Sequence, residues 1–159
     1  MKIEQSAILV IDDEDEVRTS IVNLLRNTGF TVVEAPNGRR GMEQLSQHYV
    51  TLVLTDILMP EMDGLEVVME IRRSHPTKKI VAMSKGLDLL RLAKALGAHA
   101  TVAKPFEARD LLDTISRVSQ NQQLSLSANG HCHSGEARQD VGSDSDSFSS
   151  PDRGQALPR

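Results

Sequence analysis

The sequence predicts an α/β fold, a doubly wound parallel sheet of five strands with helices on both faces. Two observations carry this prediction. Five short apolar runs alternate along the chain with five stretches in which apolar residues recur three or four positions apart. The clearest runs are unbroken by polar residues, as in strands whose two faces are both covered by helices. A regular alternation of strand and helix indicates parallel strands joined by right-handed crossovers, hence a (βα)5 unit.

The predicted strands are short runs of β-branched and aliphatic residues. The second and fifth are weaker than the others, because each begins with a polar threonine. In chain order the five runs are Ala7-Ile8-Leu9-Val10-Ile11, Thr31-Val32-Val33, Leu52-Val53-Leu54, Ile80-Val81-Ala82-Met83 and Thr101-Val102-Ala103.

The intervening stretches predict amphipathic helices, since each places its apolar residues on one helical face and its charged residues on the other. In chain order the apolar positions are Val17, Ile21, Leu24 and Leu25, then Met42 and Leu45, then Leu65, Val68 and Met69, then Leu89, Leu92, Ala93 and Leu96, and finally Leu111, Ile115 and Val118. Gly29 and Gly97 follow the first and fourth stretches, where the glycines that end helices belong.

The composition changes near residue 119. Residues 119–159 contain nine serines but only five Leu, Val or Phe residues. Such a segment cannot bury enough apolar surface to offset the entropy of ordering it. We therefore predict a folded domain over residues 1–118 and a disordered tail, rich in Ser, Asp and Gly, over residues 119–159.

Two functional alternatives for the tail stay open. The segment GSDSDSFSSP is a candidate for phosphorylation or partner binding. The tripeptide His131-Cys132-His133 offers three metal ligands, but at a spacing unlike that of a structural zinc site, so we interpret it as incidental.

Charge and composition exclude several classes of protein. The formal net charge of -4 and the pI of about 5.7 lack the basic footprint of nucleic-acid binding, so we expect no direct contact with nucleic acid. The five apolar residues at 7–11 precede an acidic cluster and are too few for a signal peptide or a membrane span. The single cysteine, Cys132, cannot form an internal disulfide. We therefore expect a cytoplasmic protein without membrane insertion.

Polar side chains follow four of the five predicted strands. Asp12 and Asp13 come after the first strand, Asp56 ends the third, Ser84 follows the fourth and Lys104 follows the fifth. Ligands of open α/β sheets bind at the carboxyl ends of the strands. We therefore expect three carboxylates, one hydroxyl and one ammonium group to converge at that edge.

Three neighbouring carboxylates repel one another and raise one another's pKa unless a cation is present. Oxygen ligands that leave room for water and a phosphoryl oxygen fit Mg²⁺ better than a closed Ca²⁺ cage. An aspartate beside Mg²⁺ can attack phosphorus and form an acyl phosphate. In that chemistry Lys104 would neutralise phosphoryl oxygens, and the Ser84 hydroxyl would donate a hydrogen bond to one of them.

Each of these residues also has a simpler interpretation. Asp12 and Asp13 could cap the first helix, Ser84 could cap the fourth, and Lys104 could be an ordinary surface lysine. Asp56 is harder to dismiss, because an ionised group at the end of an apolar run is costly to bury without a partner. We favour the functional interpretation, because all of these residues stand at the strand ends where the phosphoryl chemistry needs them.

Four segments, VIDDEDEVR, VLTDILMPEMDGLEVV, AMSKG and VAKPF, resemble the receiver domain of two-component response regulators. The resemblance runs from Ala7 to about Val118 and is to the single-domain, chemotaxis-regulator-like kind. It implies a flavodoxin-like sheet with strand order 2-1-3-4-5. It also implies the following roles: Asp56 as phosphoacceptor, Asp12, Asp13, Asp56 and the backbone carbonyl of Leu58 as Mg²⁺ ligands, Ser84 as switch hydroxyl, Lys104 as phosphate-binding lysine, and a cis peptide between Lys104 and Pro105.

The resemblance further implies a function in a phosphorelay. Asp56 would receive its phosphoryl group from a phosphohistidine of a sensor histidine kinase or a histidine phosphotransfer domain. The protein would catalyse only its own phosphorylation and slow autodephosphorylation, and would otherwise not be an enzyme. A downstream protein would read the change through the face formed by the fourth helix, the fifth strand and the fifth helix.

Three positions depart from what is usual in that family. Thr101 stands where an aromatic ring usually couples to the switch hydroxyl, so that coupling cannot operate in the same form. Leu58 and Gly86 stand at positions that often tune hydrolysis of the acyl phosphate, and neither side chain can orient a water molecule. We therefore expect a long-lived phosphorylated state.

Other functions remain possible from the sequence. The chain could be a receiver fragment of a larger regulator or hybrid kinase, although no helix-turn-helix pattern follows residue 118. A phosphatase similar to haloacid-dehalogenase hydrolases would carry a second aspartate two residues after the nucleophile, where this chain has Leu58. A flavodoxin-like cofactor binder would carry a glycine-rich phosphate loop, which the sequence lacks.

Overall fold

The computed structural model of this chain describes residues 6–120. The expected disordered tail, with its two open alternatives, lies outside the described residues apart from its first two positions. The described part is an alternation of five strands and five helices. They are β1 (Ala7–Ile11), α1 (Asp15–Asn27), β2 (Thr31–Ala35), α2 (Gly38–Gln47), β3 (Val50–Asp56), α3 (Gly64–Ser74), β4 (Lys79–Ser84), α4 (Leu87–Ala95), β5 (Ala100–Ala103) and α5 (Ala108–Gln120).

The five strands form one parallel sheet with the order β2-β1-β3-β4-β5. This confirms the predicted fold class and strand order. In the register between β3 and β4, Asp56 pairs with Met83, so the ends of these strands lie at the same edge of the sheet. The same arrangement brings the end of β1 beside the end of β3, because Ile11 pairs with Thr55.

Four of the five strands are longer than their predicted apolar runs. β4 adds Lys79 and Ser84, and β5 adds Ala100. β2 continues through Glu34 to Ala35, because β2 is an edge strand and the Glu34 side chain remains exposed. β3 begins at Val50 and includes Thr55 and Asp56, both of which are buried. Hydrophobic periodicity alone does not find these ends, because polar residues such as Glu34 and Thr51 interrupt the apolar pattern while their backbones stay in the sheet.

The sheet separates two hydrophobic layers. On one face, α1 and α5 pack against alternate strand residues that include Ile8, Val10 and Leu54. On the other face, α2, α3 and α4 pack against the intervening residues, which include Leu9 and Ile11. Side chains of successive strand residues point to opposite faces, so an unbroken apolar run supplies both layers at once.

Helix ends follow the sequence signals. Gly29 and Gly97 have φ angles of 92° and 113°, the left-handed region that favours glycine, just past the ends of α1 and α4. At the start of α3, Asp63 and Glu66 form a reciprocal capping box. None of the helices among residues 6–120 is both long enough and apolar enough to cross a membrane.

Candidate functional site

The site is centred on the Lys104 side chain at the carboxyl edge of the sheet. Its Nζ atom lies 2.7 Å from Asp12 Oδ2 and 2.8 Å from Asp56 Oδ1. Lys104 directly follows β5, and its backbone N–H donates to the carbonyl oxygen of Ser84 at 2.8 Å. This hydrogen bond fixes the position of Lys104 beside the end of β4. The Lys104 side chain is only 6% exposed, so it is not an ordinary surface lysine.

Asp12 is fully buried and is held by hydrogen bonds at several of its atoms. Its Oδ1 atom accepts from the Glu14 N–H at 2.9 Å, and its carbonyl oxygen accepts from Arg18 Nη1 at 2.7 Å. The residue that caps α1 is Glu14, which makes no side-chain cap hydrogen bond. The alternative that Asp12 caps the helix is therefore only partly right: Asp12 supports the first turn of α1 while its other oxygen binds Lys104.

Asp56, Asp12 and Asp13 are brought together as predicted. One carboxylate oxygen from each can be chosen so that all three lie within 4.8 Å of one another. Asp12 and Asp56 are buried, whereas Asp13 is exposed, so the group opens to solvent on one side. Three oxygen donors with an open side suit Mg²⁺, which keeps several water ligands, better than they suit Ca²⁺, which takes more protein ligands in a closed cage.

The charges at this site perturb one another. Burial raises the pKa of Asp56, and the neighbouring charges of Asp12 and Asp13 raise it further, while Lys104 opposes the rise through a hydrogen bond and its positive charge. Burial alone would lower the pKa of Lys104, but its hydrogen bonds to Asp12 and Asp56 outweigh burial and leave it raised. Lys104 therefore stays protonated and supplies the positive charge that the buried carboxylates need.

Ser84 ends β4 one residue beyond Met83, the partner of Asp56 across the sheet. Its side chain is buried, and its Oγ atom accepts a hydrogen bond from the Gly86 N–H at 3.2 Å. The residue that caps α4 is Gly86, so Ser84 is not the helix cap. Because Ser84 Oγ accepts from Gly86, its hydrogen remains available for donation to another group.

Leu58 lies two residues after Asp56, in the loop that leads to α3. Its side chain is 60% exposed and therefore leaves the mouth of the site without a polar group at this position. The peptide bond between Lys104 and Pro105 is cis, as the family resemblance implies.

Two functional contributors escaped the sequence analysis. Arg18 on α1 donates to the Asp12 carbonyl and forms ion pairs with Asp15 and, at 3.4 Å, with Glu34. Gly64 begins α3 and donates its N–H to the Ile57 carbonyl at 2.9 Å. A Cβ atom at position 64 would lie 2.1 Å from the Asp56 carbonyl oxygen. Both residues lie within the segments VIDDEDEVR and VLTDILMPEMDGLEVV. Spacing within a segment does not reveal either contact, because each depends on how a helix meets a strand end.

Comparison with protein families gives one matching model, the response regulator receiver domain, over residues 8–116. The response regulator receiver protein CpdR of Brucella abortus is 34% identical over 119 residues, which are 70% of this chain and 94% of that protein. Among solved structures, a response regulator receiver domain protein from Clostridium thermocellum is 30% identical with a TM-score of 0.71, and the match covers 76% of this chain and 98% of that one.

Other relatives are much longer than the matched segment. The sensor kinase CckA of Brucella abortus is 34% identical over 74% of this chain, but the match covers only 13% of that kinase. The transcriptional regulatory protein CpxR homolog of Haemophilus influenzae is 34% identical over 71% of this chain, and the match covers 50% of that regulator. The chain thus spans about an eighth of the length of the sensor kinase and about half of the length of the transcriptional regulator.

Proposed function

We propose a phosphoacceptor function for this chain, which belongs to the response regulator receiver domain family. In this proposal Asp56 takes a phosphoryl group from a phosphohistidine, and a partner protein reads the change. The observation that carries the proposal is the buried Lys104 ammonium group, which lies 2.7 Å and 2.8 Å from Asp12 and Asp56 at the edge where the three aspartates meet. A purely structural ion pair would need no third, exposed carboxylate beside it.

The chemical step joins one Asp56 carboxylate oxygen to phosphorus. The bond between phosphorus and the donor's ring nitrogen breaks, and that nitrogen keeps the electron pair and later takes a proton from solvent. The product is an acyl phosphate, and its phosphoryl oxygens carry the negative charge. Lys104 lies within hydrogen-bond distance of Asp56, and we infer that its ammonium group shifts to a phosphoryl oxygen. The Ser84 hydroxyl, whose hydrogen is uncommitted, would donate to another.

We infer that Asp12, Asp13, Asp56 and the backbone carbonyl of Leu58 hold Mg²⁺. When bound, the ion neutralises charge on the phosphoryl oxygens and on the carboxylates. The oxygen-only donor set and the solvent-open side formed by Asp13 support this assignment. Without the ion, the site has one ammonium group for three carboxylates, and the charges of Asp12 and Asp13 add to the rise that burial causes in the pKa of Asp56.

We infer further that the donor is a sensor histidine kinase or a histidine phosphotransfer domain, and that the downstream partner contacts the face formed by α4, β5 and α5. The relatives named above support the first inference, since one of them is itself called a sensor kinase. The absence of direct nucleic-acid contact and the cytoplasmic location stay predictions.

A related possibility is that these residues act as the receiver part of a larger regulator or hybrid kinase. The match to only 13% of one relative and 50% of another shows that similar segments occur within longer proteins. The chemistry proposed for Asp56 is the same in either setting, and only the route of output differs.

Intact-mass spectrometry tests the phosphoacceptor proposal. The full chain is incubated with Mg²⁺ and acetyl phosphate, beside Asp56→Asn, a chelator control and the matched variant Asp113→Asn on the exposed side of α5. We expect one phosphoryl group on the wild type and on Asp113→Asn, and none on Asp56→Asn or with the chelator. Addition that survives Asp56→Asn, or no addition under any condition, would contradict the proposal.

A further inference from the structure

A second charged region lies on the other side of the molecule from the aspartates, where β4 and β5 begin. A cavity of about 460 Å³ opens there between the start of β4 and the ends of α4 and α5. Its lining includes Lys79, Lys94, His99, Thr101 and Arg117. Three permanent cations thus line one cavity in a chain whose net charge is -4.

These cations have no acidic partners in the part of the chain that the structure describes. Lys79, Lys94 and Arg117 form no ion pair there, although most other surface arginines do. Lys94 donates a hydrogen bond to the His99 carbonyl oxygen, which fixes its side chain at the cavity without neutralising it. Like charges held close together repel one another and destabilise the folded state unless an anion binds between them.

His99 shows that the local field is positive. Its Nδ1 atom accepts a hydrogen bond from the Ile80 N–H at 3.1 Å and lies 3.3 Å from Arg72 Nη2. Burial and the positive charges of Arg72, Lys79 and Lys94 together lower the pKa of His99 to about 4. No acidic group among residues 6–120 offsets these positive charges at the imidazole.

The cavity continues into a second concavity with a different chemistry. The two share Lys94 and Thr101, and the second extends past Ala103 to Leu90, Arg91 and Leu87. Arg91 is neutralised by an ion pair with Asp88, and Leu87 is 63% exposed. Together the two concavities form one groove along β5, from a basic end at Arg117 to an apolar end at Leu87. Four residues of strand are about 13 Å long, so the groove matches three or four residues of an extended peptide.

We propose that this groove binds an acidic segment of the partner protein, with carboxylates among Lys79, Lys94 and Arg117 and an apolar side chain against Leu87. The inference rests on the proposed function, because the groove lies on the face of α4, β5 and α5 assigned above to the downstream partner, and it adds the chemistry of the segment that binds there. The basic end of the groove binds the acidic residues of the segment, and the exposed Leu87 at the other end of the groove binds its apolar side chain. The two ends together set the direction in which the segment lies. Thr101, in place of an aromatic ring, leaves the middle of the groove open.

Binding of a short probe peptide tests this proposal. The probe is an acetylated, amidated peptide with one leucine followed by serine and three acidic residues, and a second peptide carries Asn and Gln in place of the acids. Amide NMR shifts of the full, unphosphorylated chain report where each peptide binds. We expect the acidic peptide to shift the amides of His99, Thr101 and Arg117, and the amide-bearing peptide to leave them unchanged.

Matched variants make the test specific. Arg117→Glu should weaken binding of the acidic peptide about fivefold or more, because it reverses a charge at the groove. Arg39→Glu makes the same change of charge on α2, away from the groove, and should leave binding unchanged. At the apolar end, Leu87→Ser should weaken binding, whereas Met69→Ser on α3 should not.

Three results would overturn the proposal: no saturable shift, equal loss of binding in Arg39→Glu, or the same shifts with inorganic phosphate alone at the same concentration. The last result would make the groove a site for small anions. Repeating the titration with Asp56→Asn separates this proposal from the phosphoacceptor function. Peptide binding should persist in that variant, so a failure to phosphorylate and a failure to bind the peptide are distinguishable.

Discussion

Burial of Asp56 disfavours its ionised carboxylate, although the proposed phosphoryl transfer needs that form. Burial raises its pKa, because the ionised carboxylate loses contact with water. The Lys104 ammonium group, 2.8 Å away, opposes this and preserves the ionised form that can attack phosphorus. Removing Lys104 would leave Asp12 and Asp56 as buried, unpaired charges, so the same residue supports stability and the proposed chemistry.

We expect Leu58→Asn to shorten the lifetime of the phosphorylated protein. Leu58 is exposed beside Asp56 and cannot hold a water molecule, whereas an amide group there can orient one toward phosphorus. The loss of the phosphoryl group should accelerate by on the order of tenfold. The measurement is the decay of the phosphorylated mass after the donor is removed, with Met69→Asn on α3 as a control. An unchanged lifetime in Leu58→Asn would contradict the prediction that Leu58 prolongs the phosphorylated state.

At this scale the sequence predicts the meeting of Asp12, Asp56 and Lys104 well, because strand ends in a parallel sheet share one edge. The contact of Arg18 with the Asp12 carbonyl was not predictable. Its side chain reaches back from α1 to a backbone atom six residues earlier, and no spacing rule covers that arrangement.

Among the elements, the junction between β3 and α3 is the most constrained. The first residue of α3, Gly64, packs so closely on the end of β3 that a Cβ atom would lie 2.1 Å from the Asp56 carbonyl oxygen and 2.7 Å from Ile57 Cα. Both are backbone atoms, so neither can give way by a rotamer change. The position of the phosphoacceptor therefore depends on a glycine at the start of the next helix.

Gly64→Ala is expected to lower the free energy of unfolding by about 3 kcal/mol and to slow phosphorylation of Asp56. Urea unfolding and the intact-mass assay measure the two effects. Gly86→Ala is the comparison, because its Cβ atom would lie 3.4 Å from the flexible end of Leu89. Gly86 caps α4, where glycine is preferred to alanine, so we expect a loss of about 1 kcal/mol or less. Equal losses in the two variants would mean that the close approach at Gly64 is not what constrains the junction.

His99 connects the start of β4 to the start of β5 and makes the stability of this junction depend on pH. Its pKa is about 4 in the folded protein and near 6.5 when the chain is unfolded, so the unfolded state binds the proton more tightly. The stabilisation is therefore complete above pH 6.5 and is lost as the pH falls from 6.5 towards 4.

His99→Asn should weaken this pH dependence, since asparagine keeps an acceptor for the Ile80 N–H but does not titrate. Between pH 7.5 and 4.5, the wild type should lose about 2 kcal/mol more stability than the variant. Urea unfolding of both proteins at the two pH values measures the difference, and the comparison at pH 7.5 isolates any effect of packing. Parallel pH curves would contradict the assignment of His99.

Across the whole molecule, the two core layers account for why the described residues fold as one unit. Four strands, β1 to β4, contribute buried side chains to both layers, and β5 contributes Ala100 and Val102 to the layer beneath α5. Neither layer is therefore complete without the sheet. Alternation of apolar runs and helical stretches was enough to predict this architecture. Strand order was not contained in that alternation and came from the family resemblance, because periodicity says which face a residue occupies but not which strands are neighbours.

The domain boundary proposed near residue 118 leads to a prediction for the whole chain. A protein that ends at Gln120, the last residue of α5, should unfold cooperatively with a free energy within about 0.5 kcal/mol of the full chain, and should still be phosphorylated on Asp56. The reason is that the core residues of both layers lie between Ile8 and Val118.

A shorter chain that ends at Thr114 provides the contrast. It lacks Ile115 and Val118, which are buried in the layer beneath α5, and should lose at least about 3 kcal/mol. Urea unfolding of the full chain and of both truncated proteins measures the three free energies. If ending the chain at Gln120 also cost more than about 1 kcal/mol, residues beyond α5 would contribute to the fold, and the boundary would have to move toward the C-terminus.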